Sequence, residues 1–136
     1  MMRIGFLPSD FNPMILMLGE GEDCRALGGA LRRFAREQQD VAFQKLRFCQ
    51  CRDIGLRLTA QPGPEGVQRL GRTGFIWRLT AERAAGFADR LEDLGEPGRV
   101  AGSETLDAGT EDGISIKVSR GEYTDDFLSG PGGDAG

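Results

Sequence analysis

The stretch GFIWRLTAERAAGFADRLEDLGEP, residues 74–97, decides the fold class. Phe75, Trp77 and Leu79 alternate with Ile76 and Arg78, the period of a strand with one buried face. The period then changes to that of a helix. Thr80 is a good N-cap, and Glu82 falls in the first turn, where a carboxylate favours the positive end of the helix dipole. Ala84, Phe87, Ala88, Leu91 and Leu94 follow as one apolar stripe, Gly95 suits the residue after the last turn, and Pro97 blocks continuation. A half-buried strand running straight into an amphipathic helix must pack against it, so Trp77 is expected to be buried against Phe87 and Leu91.

Working towards the N-terminus, Gln61-Pro-Gly-Pro-Glu-Gly66 is a turn and Val67–Leu70 a short strand. From Val41 to Ala60 the period is two, with Leu46 and Phe48 on one face and Ile54, Leu56 and Leu58 on one face, and a hairpin is expected near Gln50–Asp53. Before it, Cys24, Leu27, Leu31, Phe34 and Ala35 mark a helix over about residues 22–38, with Arg32, Arg33 and Arg36 in its closing turns. The continuous apolar run Pro13–Leu18 reads as an inner strand. Towards the C-terminus, Ser103–Ala108 and Ile114–Ser119 flank a Gly109–Gly113 hairpin loop. No stretch repeats another. These elements predict one α+β domain over residues 1–128, a two-layer arrangement in which two helices pack on one face of a mainly antiparallel sheet of about five to seven strands. Residues 129–136, SGPGGDAG, have no large apolar side chain to bury and are expected to form a disordered tail.

The chain has no histidine, which removes the one side chain whose ordinary pKa lies near neutrality and most familiar hydrolytic constellations with it. Net charge is −4 but unevenly laid out: residues 1–102 hold 15 basic and 13 acidic groups, residues 103–136 hold 2 and 8. An isoelectric point near 4.9 argues against nucleic acid as a partner. No apolar run approaches the ~20 residues of a membrane helix, and the N-terminal segment lacks a signal-peptide core. Three sparse cysteines suit a reducing compartment, so a cytoplasmic protein is expected. Basic charge is almost all arginine, with Lys45 and Lys117 the only lysines, a bias expected of a GC-rich bacterial genome.

Four constellations bear on chemistry. Gly19-x-Gly21 between strand and helix has the placement of a phosphate loop, but Glu20, Glu22 and Asp23 would repel a pyrophosphate, so a capped turn is expected there. Cys49 and Cys51 place two thiols on one face of an extended strand, where they are either small buried apolar groups or the start of a soft-metal site. A closed zinc site needs four ligands and histidine is lacking, so no metal is expected. Arg25, Arg32 and Arg36 line one side of the first helix, with Gly29 among them and Gly28 at the edge of the stripe. Glycines in a helix interior cost about 1 kcal/mol each against alanine, and the close approach of a partner backbone would offset that; the other reading is a solvated face. Glu122, Tyr123, Asp125 and Asp126 gather three carboxylates and the only tyrosine after the last strand, either as a polar contact patch or as a solvated chain exit.

Gly74-Phe-Ile-Trp-Arg-Leu79 running into the Thr80 helix, together with Lys117-Val-Ser-Arg-Gly-Glu-Tyr123, resembles a pattern in small uncharacterised bacterial proteins. The resemblance implies a compact bacterial α+β domain and brings no activity. The expected function is therefore a protein-interaction module of inhibitor or immunity type, contacting a protein partner or itself without a cofactor through the arginine stripe or the acidic patch. Two alternatives stand beside it: a thiol- or metal-binding protein or enzyme using Cys49, Cys51 or the acidic patch, and a homodimer paired through a sheet edge.

Overall fold

The computed structural model describes residues 1–8, 13–106 and 114–121. The Gly109–Gly113 loop, the acidic patch Glu122–Asp126 and the 129–136 tail lie outside the described residues. The chain runs β1 (Met2–Leu7), β2 (Met14–Gly19), α1 (Gly21–Glu37), β3 (Val41–Ala42), a 3-10 turn (Phe43–Lys45), β4 (Cys49–Cys51), β5 (Gly55–Thr59), β6 (Gly66–Leu70), β7 (Gly74–Arg78), α2 (Ala81–Leu94), β8 (Gly102–Leu106) and β9 (Ser115–Arg120).

The α+β class holds, with more strands than expected and in two mixed sheets, ordered β4-β1-β2-β9-β8 and β3-β5-β7-β6. Hairpins β1–β2, β6–β7, β3–β5 and β8–β9 are antiparallel, while β2–β9, β5–β7 and β1–β4 are parallel. The expected turn near residues 50–53 exists, with Asp53 at φ 62°, a left-handed conformation that Asp tolerates better than most residues. Its flanking strands do not pair, however: β4 joins β1 and β5 joins β7, so one bent segment serves both sheets. At the opposite join, Ile114 donates from its backbone N–H to Val67 of β6 at 3.5 Å, just before β9 enters the first sheet.

The arrangement repeats internally. β2 and β7 begin at 14 and 74, α1 and α2 at 21 and 81, β5 and β9 at 55 and 115, a constant offset of 60 residues. The parallel registers obey the same offset: Ile15↔Ile116 and Met17↔Val118 in one sheet, Phe75↔Leu56 and Trp77↔Leu58 in the other. The second half is a ββαββ unit and the first is the same with β4 inserted; in each, the antiparallel pair after the helix, β3–β5 or β8–β9, joins the sheet begun by the other half. No repeat is legible in the sequence because what the halves share is burial of their core-facing positions, not residue identity. Across residues 21–34 and 81–94, Glu22/Glu82 and Leu31/Leu91 are the only identities, whereas the buried positions Cys24/Ala84, Leu27/Phe87, Gly28/Ala88 and Phe34/Leu94 correspond throughout.

The helices pack chiefly on each other, antiparallel, rather than separately on one sheet face. Gly28 sits where they cross: a Cβ there would lie 3.2 Å from the Ala88 carbonyl oxygen and 3.1 Å from Cγ of Glu92. The backbone whose close approach glycine permits is therefore the chain's own second helix. Beneath the crossing, both helical stripes meet Met2, Ile4, Ile15, Met17, Leu56, Leu58, Phe75, Ile116 and Val118 in one cluster around Trp77, which is fully buried between Phe43 and Phe87 at centroid distances of 6.1 and 6.2 Å.

Candidate functional site

The arginine stripe is divided by this packing. Arg25 donates to the backbone carbonyl of Gly95, capping the end of α2, and Arg32 reaches Asp89 and Glu92 at 2.7 Å. The hydrogen bonds that Arg32 donates to Glu92 and then Asp89 raise its pKa, keeping the guanidinium charged. Arg32 and Glu92 occupy equivalent positions in the two halves, and so do Asp23 and Arg83, and Arg33 and Asp93. Like charges at 32 and 92 would repel across the crossing; the opposite charges there favour pairing between the unlike halves. Exchanging the pair, Arg32→Glu with Glu92→Arg, is accordingly expected to restore much of the melting temperature that Arg32→Glu alone loses. Arg36 is exposed and has no ion-pair partner among the described residues. Gly29 faces open space, so Gly29→Ala is expected to raise stability by about 0.5–1 kcal/mol, readable in chemical denaturation.

The strand-to-helix turns are closed by capping. At Glu20, the Asp23 carboxylate accepts from the N-cap backbone at 2.9 Å and lies 3.2 Å from the Met1 amino group. At the equivalent turn Glu65 accepts from the Thr80 backbone at 3.1 Å and faces Arg83 at 3.8 Å. The Gly19-x-Gly21 turn thus offers its N-cap amide to its own carboxylate, while the Asp23 and Cys24 amides donate to the Glu20 carbonyl.

Cys24 and Cys49 are buried and Cys51 is half-buried, all with thiols pushed up by burial, Cys24 to about 11 and Cys49 to about 12. Among the described residues no three cysteine, aspartate or glutamate side chains come together as metal ligands. The neutral thiol is favoured in the folded state, so this contribution to stability is complete below the ordinary thiol value of 9.0 and is lost as pH rises through about 11–12. Native protein at pH 8 is expected to leave Cys24 and Cys49 unlabelled by Ellman's reagent, with prompt reaction after addition of denaturant.

A cleft of about 580 Å³ runs along α2, lined by Glu65, Thr80, Glu82, Arg83, Gly86, Phe87 and Arg90. Its arginines already face carboxylates, Arg90 reaching Glu104 at 2.7 Å and the Thr105 carbonyl at 2.8 Å. The same contacts cover part of the β8 edge, blunting it for pairing with a second copy.

The two sheets differ on the faces turned away from the shared core. In the first sheet, Leu16, Leu18 and Ser119 of that face are each 2% exposed or less. Their equivalents under the 60-residue offset are Ile76, Arg78 and Thr59. There Thr59 is as buried as Ser119, its hydroxyl donating to Asp40 at 2.7 Å, but Ile76 and Arg78 are half-buried, their neighbours Arg57 and Gln68 are exposed, and Leu70, at the end of β6, is 62% exposed. Gly55 pairs with Gly74 beside them, and the Gln44 side chain lies against Gly55, its oxygen accepting from the Leu56 backbone at 3.2 Å. Sequence reading missed this face because its strands were judged by their buried alternates; the signal available was that β5, β6 and β7 contain three arginines and no carboxylate. No family model, curated protein or solved structure matches the chain. Among the described residues no helix is long and apolar enough to cross a membrane.

Proposed function

We propose that this chain is a protein-interaction module of inhibitor or immunity type and that it docks a protein partner through the outward face of β5, β7 and β6. The observation that carries this reading is the inequality of the two halves. The same face is buried at Leu16 and Leu18 in one sheet and open at Arg57, Ile76, Gln68 and Leu70 in the other. An aliphatic centre with an arginine rim on a rigid sheet is the composition of a protein contact: the apolar part loses water on docking, and the charges set orientation and partner choice. The arginine stripe first expected to make contact is spent within the molecule at Arg25 and Arg32, which moves the reading to the sheet.

Affinity purification from the native cell tests it, comparing the wild-type chain with Ile76→Glu. A discrete protein that co-purifies with the wild type at fixed stoichiometry and is lost with Ile76→Glu, at unchanged melting temperature, is the expected result. A partner retained equally by both would overturn the placement on this face.

A further inference from the structure

We propose that the partner of this face is acidic: a protein presenting an extended segment that alternates carboxylates with aliphatic side chains. This rests on the docking role of the face and adds the chemistry of what it binds.

Strands β3, β5, β6 and β7 together carry Arg57, Arg69 and Arg78 and no aspartate or glutamate, in a chain whose acidic groups outnumber its basic ones 21 to 17. Arg69 leans over the Phe6 and Phe75 rings at 5.0 and 5.7 Å from their centroids, on the core side. Arg57 and Arg78 remain on the outward face and make no ion pair with a described residue. Arg78 is held by Gln68, whose side-chain oxygen accepts from Nη1 at 2.8 Å, while its Nε has no acceptor among the described residues. A Cβ on Gly63 would lie 2.6 Å from that Nε, so the guanidinium is fixed by close packing as well as by Gln68. With Nε buried and Nη1 bonded to Gln68, the rest of the guanidinium is held still, so little side-chain freedom remains to be lost when it donates to a carboxylate.

The layout fixes the pattern of the occupant. Arg57 pairs with Ile76, and Arg78 lies two residues further along β7, so the two arginine positions are diagonal neighbours beside one aliphatic residue. Diagonal neighbours on adjacent strands are about 7–8 Å apart, close to the ~6.6–6.8 Å between alternate side chains of an extended peptide. An extended segment laid across the face can set two carboxylates on the arginines, with its apolar neighbours over Ile76 and Leu70. A nucleic acid is disfavoured, since two guanidinium groups on a protein of net charge −4 give phosphates little counterion release.

The test titrates the full chain, labelled with nitrogen-15, with a blocked dodecapeptide of alternating glutamate and valine. The matching lysine–valine peptide and a thymidine dodecanucleotide serve as comparisons. The expected result is amide shifts confined to β5, β6 and β7 with the acidic peptide alone, weakened about tenfold by Arg57→Glu and retained by Arg57→Lys. Unchanged thermal unfolding of both variants shows that binding, not folding, was altered. No shifts, shifts centred elsewhere, or equal shifts with the oligonucleotide would each overturn the acidic-partner assignment. Failure of this inference is distinguishable from failure of the docking role: a native partner lost with Ile76→Glu and kept with Arg57→Glu leaves the face in use by a partner that is not acidic.

Discussion

Trp77→Ala is expected to destabilise the protein by about 3–5 kcal/mol, a large share of the roughly 5–15 kcal/mol that holds a typical domain together. The indole is fully buried, tilted against Phe43 and stacked on Phe87, and its strand pairs at this position with Leu58 on one side and Val67 on the other. Truncation therefore opens a cavity where the second half's first hairpin, the first half's last strand and α2 meet. Equilibrium denaturation should place the variant near or beyond its folding threshold at room temperature, whereas Trp77→Phe should lose clearly less. Emission of the wild-type tryptophan should be blue-shifted, and a water-like emission maximum in the folded state would contradict this packing.

Gly28→Leu is expected to cost about 1–3 kcal/mol or more, the range for overpacking a closed contact. Its first added carbon already meets the Ala88 carbonyl and Glu92 at 3.1–3.2 Å, and backbone cannot swing aside as the end of a flexible side chain can. The helices would have to part, drawing Arg32 away from Asp89 and Glu92. Gly29→Leu, one residue on and facing open space, is the matched comparison: helix propensity favours it, and its melting temperature should not fall.

Local structure was legible where periodicity and end signals coincide. The second helix runs from the Thr80 cap to Gly95 as its sequence implies, and α1 begins and ends within one residue of the expected span. Trp77 packs on Phe87 as the strand-to-helix pattern requires. What pattern could not carry was which strand pairs with which. Alternation in β4 and β5 fixes a buried face, and the turn at Asp53 fits a hairpin, yet their hydrogen-bond edges face different partners, a choice made by strands far away in the chain. The 3-10 turn at Phe43–Lys45 replaces an extended run that Leu46 and Phe48 suggested, because Phe43 must reach Trp77. Of the candidate contact residues, the arginine types were read correctly as forked donors; their acceptors, Gly95, Asp89 and Glu92, lie about sixty to seventy residues on and become neighbours only through the crossing at Gly28.

The open face of β5, β7 and β6 is most directly tested by photocrosslinking in the native cell, with benzoylphenylalanine placed at Arg57 and, as a comparison, at Gly86, both exposed. A discrete protein adduct formed from position 57 and absent from position 86 is the predicted result. An adduct from position 86 with none from position 57 would place the partner on α2 and contradict the account.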